Sequence, residues 1–235
     1  MSSATITTSA RLMNSTPQTE EQAMVRKVAV SSFLGNFIEW FDYASYSYFA
    51  TTIALVFFPT DNHTVAMLQT FGVFALSFIL RPIGALFWGS YGDKKGRKAA
   101  LAHSIMFMSG ASFLIGCLPS YSVIGVGAPI LLLLLRMVQG FSASGEYAGA
   151  ATFLGEYAPT SKRGIYCSLI PAFTAIGLLA GSTLATLMTA NMNSSAMVGW
   201  GWRVPFLLAG PRGLIDVSYI HLRAHETRHD LVCRL

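Results

Sequence analysis

The sequence predicts an all-α, polytopic membrane protein, and three of its features carry that prediction. Hydrophobic residues make up 53% of the 235 positions and charged residues only 11%, where a soluble domain carries about 25% charged residues. Long apolar runs alternate with short polar gaps, which is the pattern of repeated membrane spans. Lys and Arg collect in alternate gaps, as the positive-inside rule requires. The net charge of +5 is therefore no nucleic-acid footprint, because the bases lie between spans rather than on one soluble face.

The elements follow in order. Residues 1–25 are rich in Ser and Thr and hold no apolar core of signal-peptide length. They read as a disordered cytoplasmic tail ahead of a six-span bundle over 26–211, with a divergent polar segment at 212–235. A span needs about 20 apolar residues. Six runs qualify: 28–58, which ends at Pro59, then 66–91, 99–118, roughly 127–154, 165–190 and a sixth from near 200.

Orientation comes from the bases. Arg26 and Lys27 precede the first span, Lys94, Lys95, Arg97 and Lys98 separate the second from the third, and Lys162 and Arg163 separate the fourth from the fifth. The gaps at 59–65 and 119–126 hold neither Lys nor Arg. Both termini are thus expected in the cytoplasm of a cell-membrane protein. Trp200 and Trp202 suit an interfacial belt at the outer start of the sixth span.

Gly72, Gly84 and Gly89 in the second span, Gly140, Gly145 and Gly149 in the fourth, and Gly177 and Gly181 in the fifth suit close helix packing in lipid. Cys117, Cys167 and Cys233 have no metal or redox spacing and read as small packing residues. No cofactor is expected.

The first span raises the functional question. "GNFIEWFDYASYSY" places Glu39 and Asp42 within an otherwise apolar run. One carboxylate at the bilayer centre costs about 2.5–3.5 kcal/mol on insertion scales. Three residues apart, the two acids share a helix face with Gly35 and, less closely, Tyr46. That face must meet a cavity or a cation. Arg81 in the second span, with Arg136 and Glu146 on roughly one face of the fourth, supplies candidate partners. Two readings stand: buried ion pairs that fix helix order, or a substrate and proton pathway, the latter favoured because intramembrane charges are costly. Arg81 sits near the cytoplasmic end of its helix and equally suits snorkelling.

The stretch "GSYGDKKGRK" (89–98) joins two helices in a tight turn. Gly92 and Gly96 permit the bend, and Asp93 suits a cap or a pair with a nearby base. A phosphate-binding loop does not fit, since no strand precedes it and the residue order differs.

Gly89, Gly92, Asp93, Lys94, Gly96, Arg97 and Lys98 resemble the signature loop of the major facilitator superfamily, and join the same two helices. In the fourth span "RMVQGFSASG" is similar to the superfamily's fourth-helix motif through Arg136, Gln139, Gly140 and Gly145. "GNFIEWFDY", "FALSFILRPIGALFWG", "LLLLLRMVQGFSASGEYAGA" and "GWRVPFLLAGP" resemble the metabolite:proton symporter branch, and within it the proline/glycine-betaine transporters, over about 26–211. The resemblance implies proton-coupled uptake by rocking of two six-helix halves. It implies a coupling role among Glu39, Asp42, Arg136 and Glu146, and a conformational latch at Asp93 and Arg97. "PAFTAIGLLAGS" in the fifth span lacks the Gly-Pro pairing of antiporters, in keeping with symport.

The pattern also breaks. Family members have twelve helices and this chain carries six, resembling a truncated amino-terminal half. Arg212 and Asp216 stand where relatives are apolar or Gly. His221, His225 and His229, four apart, share a helix face; a solvated helix, a degenerate tail or a metal site each fits them, the metal least. His63 and His103 are isolated near helix ends and read as structural.

The expected function is thus symport of a small osmolyte such as proline or betaine with a proton. The rivals are an organic-acid (citrate or dicarboxylate) symporter and a non-transporting membrane fragment. Self-association or a separate second half would complete the cavity. An enzyme is not expected: "GFSASG" lacks a histidine at matching depth for an intramembrane protease.

Overall fold

A computed structural model of the chain describes residues 35–157 and 163–208, except for the side chains of 97–98 and 145–157. The amino-terminal tail, the segment 212–235 and its three histidines, and Glu146 and Gly145 as side chains lie outside the described residues.

The described residues are helical throughout, joined by short turns. Helix α1 (35–48) runs through a turn residue at Phe49 into α2 (Ala50–Phe57). The hydrogen-bond ladder continues across the junction, from Phe49 N to Ser45 O (3.0 Å) and Ile53 N to Phe49 O (2.8 Å). The second span is α3 (His63–Ile79) plus α4 (Arg81–Lys95). Then come α5 (Arg97–Cys117), a short α6 (Tyr121–Ile124), α7 (Gly127–Tyr157), α8 (Arg163–Asn191) and α9 (Ser194–Gly199). A 3₁₀ turn at Gly201–Arg203 starts the sixth span, described to 208. Helices at His63–Lys95, Ala99–Cys117, Gly127–Ser144 and Arg163–Asn191 are long and apolar enough to cross a membrane.

Local chemistry sets the ends. Asn62 caps α3 by accepting from Thr64 N (3.0 Å) and Val65 N (3.4 Å), and Asn193 caps α9 by accepting from Ala196 N (2.8 Å). Pro82 at the start of α4 has no N–H to give, so the second span breaks at Leu80 without ending. At the carboxyl-terminal end of α5, Arg203 donates to Leu118 O (2.7 Å) and Gly116 O (3.3 Å), satisfying carbonyls the helix itself leaves open.

Three expectations change. The second span is longer than 66–91 at both ends. Arg81 lies 14 residues before Lys95 and 18 after His63, about 21 and 27 Å along the axis. It therefore lies near the middle of the second span, where α3 gives way to α4, and not near an end of that span. The turn at 89–98 shrinks to Gly96, whose φ of 92° suits glycine. Gly92 and Asp93 are helical, so Asp93 caps no helix start. Trp202 does not sit in a lipid belt. It is fully buried, edge-on to Phe57 (5.3 Å between centroids) and against Phe206 (6.2 Å), while Trp200 is exposed.

The fourth span is central, packed against the second, third and fifth. Tyr46, Phe49, Ile53, Phe57, Leu132 and Trp202 form the core, with Leu68, Leu86 and Leu179 among the apolar side chains left outside. Such an exposed apolar shell is what lipid covers. Helices come closest at glycines. A Cβ on Gly140 would collide with Ser77 O, and one on Gly84 with Phe141 O and Ser144 Oγ. Gly177 abuts Phe37 O, and Gly181 abuts Ala44 Cβ and Phe41 O, so the fifth span seats on the first. By contrast, nothing lies within 4 Å of a Cβ on Gly72 or Gly89.

Candidate functional site

The two acids of the first span are both buried, at 2% exposure for Glu39 and 4% for Asp42. They do not share a partner. Three residues along a helix leave side chains about 60° apart, enough to aim them at different neighbours. Asp42 turns toward the third and fourth spans, and Glu39 toward the second.

Asp42 accepts from Arg136 Nη1 at 2.5 Å, from Ser112 Oγ at 3.0 Å and from Gln139 Nε2 at 3.3 Å. Gln139 Nε2 also donates to Ser112 Oγ at 2.5 Å. Arg136 is wholly buried, and its guanidinium lies over the Tyr46 ring, 3.9 Å from the centroid. One turn apart on α7, Arg136 and Gln139 meet the same carboxylate because i and i+3 lie on one face. Arg136 Nε and Nη2, Gln139 Oε1 and the hydroxyl of Ser142 are buried without a protein partner. The cluster therefore has unspent donors and acceptors in the middle of the bundle.

Glu39 pairs with Arg81 Nη2, which also donates to Tyr43 OH. The Arg81 guanidinium lies 4.6 Å from the Phe78 centroid and 5.3 Å from that of Tyr43. Unlike Arg136, the Arg81 side chain is 28% exposed. It opens onto a cleft of about 450 Å³ lined by Glu39, Trp40, Arg81, Pro82, Ala85, Ala143 and Ser144. Phe74 separates the two ion pairs, 5.4 Å from Tyr43 and 5.5 Å from Tyr46 between ring centroids.

Asn36 adds a second polar link. Its Nδ2 donates to Thr174 Oγ1 (2.7 Å) and Ile170 O (3.0 Å) beside Pro171, and its Oδ1 accepts from Trp40 Nε1 (3.1 Å). Ser112, Tyr43 and Asn36 escape sequence reasoning as site members. The two tyrosines had a signal: Tyr43 follows Glu39, and Tyr46 follows Asp42, by four residues. Each arginine is thus held between an acid and an aromatic ring one turn on.

The loop residues stand apart. Asp93 lies 12 residues beyond Arg81 on the second span, about 18 Å along the axis. Gly92 is buried, while Gly89, Asp93, Lys94 and Gly96 are exposed. Gly140 makes the backbone contact with Ser77 that sets the depth of its neighbours Gln139 and Arg136.

A profile for the family "Sugar (and other) transporter" matches residues 27–222. The glycine betaine/proline/ectoine/pipecolic acid transporter OusA of Dickeya dadantii is 42% identical over 201 residues, covering 86% of this chain and 40% of that protein. The proline/betaine transporter of Escherichia coli K12 is 40% identical with the same coverages. The chain thus spans about 40% of the length of these curated relatives. Among solved structures, the major facilitator superfamily proton:xylose symporter XylE superposes with a TM-score of 0.73 at 18% identity, over 86% of this chain and 45% of XylE.

Proposed function

The chain belongs to the sugar (and other) transporter family, within the major facilitator fold and therefore among multi-pass membrane proteins; from that premise we propose that it forms the amino-terminal half-bundle of a proton-coupled symporter for a small osmolyte such as proline or glycine betaine. The observation that carries the reading is the Asp42 cluster. In the proposed cycle this carboxylate, bonded to one fully buried arginine, alternates between two states. Ionised, it neutralises Arg136 and ties the first span to the fourth. Protonated, it keeps its bonds to Ser112 and Gln139 but gives up the charge attraction, which frees the fourth span to shift. Such a group couples proton binding to helix movement.

In this reading Asp42 carries the proton, Arg136 is its counter-ion, and Gln139 and Ser112 hold the carboxylate in place. Glu39 serves the substrate side. Glu146 extends the pathway along α7, and Asp93 with Arg97 forms a latch at the cytoplasmic end. Relatives that carry proline and betaine at 40–42% identity support the substrate class.

Uptake of radiolabelled proline and glycine betaine into cells lacking their own carriers tests this. Uptake abolished by a proton uncoupler, and lost in Asp42→Asn, is the expected result. Uptake indifferent to the uncoupler overturns it. No uptake from this chain, beside activity from a full-length proline/betaine transporter in the same cells, points instead to a fragment that does not complete the cycle.

Orientation gives a second prediction. We place the Gly96 turn in the cytoplasm and so the exposed thiol of Cys117, at the far end of α5, outside. In a Cys167→Ser/Cys233→Ser background, a membrane-impermeant maleimide added to intact cells is expected to label Cys117. In the same background, with Cys117→Ser added, Lys94→Cys should label only after permeabilisation. The reverse pattern inverts the topology.

A further inference from the structure

Resting on the osmolyte-symport reading, we propose that the cleft beside the Glu39–Arg81 pair is the zwitterion subsite, with Arg81 taking the substrate carboxylate and Glu39 with the Trp40 indole taking its cationic nitrogen. The Asp42 and Glu39 clusters differ in what can reach them. Arg136 is sealed, whereas the Arg81 side chain is 28% exposed, at mid-depth, on a cleft of about 450 Å³. A charge held at that depth and still open to a cavity invites a ligand.

The donor inventory agrees. Arg81 commits Nη2 to Glu39 and Tyr43, while its side chain, 28% exposed, lines the cleft. A guanidinium open to a cleft suits a carboxylate in a forked pair. Glu39, held by Arg81 and 2% exposed, lines the same cleft as Trp40, and a ligand that takes over the arginine frees it. A carboxylate next to an aromatic face is a fit for an ammonium or quaternary nitrogen. The remaining walls, Pro82, Ala85, Ala143 and Ser144, are small and leave the room.

The opposed charges also set selectivity. A lone anion meets repulsion from Glu39, and a lone cation meets it from Arg81. A molecule carrying both charges replaces the internal pair without leaving either side unmatched. Small zwitterions fit this, and dicarboxylates do not.

The test is equilibrium dialysis of the purified chain in detergent against radiolabelled glycine betaine, with unlabelled glycine betaine, choline, acetate and succinate as competitors. Glycine betaine should displace the label, while the other three should require about tenfold or more higher concentration. Arg81→Gln should weaken binding by about tenfold or more. Ala85→Phe fills the exposed cleft wall and leaves both charges in place. It should lose binding while its thermal unfolding stays that of the parent, and it decides the matter if Arg81→Gln does not fold. Betaine binding unchanged in Ala85→Phe, equal displacement by succinate, or no betaine binding to the folded chain overturns the subsite. Uncoupler-sensitive osmolyte uptake alongside any of these would leave the symport reading standing and remove only this placement of the substrate.

Discussion

Replacing Asp42 by Leu, or Arg136 by Met, is expected to destabilise the bundle by about 3–5 kcal/mol each, while the double substitution recovers most of that loss. The asymmetry follows from burial. Asp42 is 4% exposed and Arg136 not at all. Either single change strands a full charge where neither water nor a second counter-ion reaches it. Asp42→Leu also leaves Ser112 Oγ and Gln139 Nε2 without their shared acceptor, which adds the cost of unmet buried donors. The double variant removes both charges together and fills the space with apolar atoms, the arrangement that often matches or exceeds a buried ion pair in stability. Thermal unfolding of the four proteins in detergent closes the cycle. Transport should be absent from all three variants, because the proton site is gone even where the fold is restored. Additive losses in the double variant would mean that the two residues are held by other groups and that the 2.5 Å contact carries little.

Much of this was legible in the sequence, and the limits have physical causes. Span positions, the placement of Glu39 and Asp42 in the first span and the tight turn before α5 are local properties of composition and spacing. What the acids touch is not local. Glu39 meets Arg81 42 residues away, and Asp42 meets Arg136 94 residues away, pairings set by which helices lie side by side. Sequence spacing put the two acids on one face, and it could not show that a 60° offset would divide them between two neighbours. Ser112 reads as a small packing residue in an apolar helix, and only the carboxylate opposite reveals its use. Trp202 looked interfacial because tryptophan near a span boundary usually is. Here the chain folds back through Gly201–Arg203, and the indole enters the core against Phe57. Of the glycines at 92 and 96, only the positive φ of Gly96 distinguishes a turn from a helix.

Gly140→Ala is expected to cost about 1–3 kcal/mol, the range for forcing atoms into a packed contact, whereas Gly72→Ala and Gly89→Ala should be neutral or gain up to about 1 kcal/mol from helix propensity. All are glycines of membrane spans, and composition does not separate them. Their surroundings do. A Cβ on Gly140 has no place beside Ser77 O, and that neighbour is backbone, which cannot swing aside. Gly72 and Gly89 face open space. Displacing α7 at Gly140 also moves the adjacent Gln139, whose amide bridges Ser112 and Asp42, so Gly140→Ala should reduce uncoupler-sensitive uptake more than its stability loss alone accounts for. Gly181→Ala supplies the contrast. Its Cβ would press on Ala44 Cβ and Phe41 O, so it should lower the unfolding temperature by pushing the fifth span off the first. The three atoms nearest that Cβ belong to Ala44, Phe41 and Ser45 and not to the Asp42 cluster, so the protein that remains folded should keep its coupling. A Gly140→Ala variant that unfolds at the same temperature as Gly72→Ala would show that the second and fourth spans do not approach as closely as described, and the depth assigned to Arg136 and Gln139 would fall with that contact.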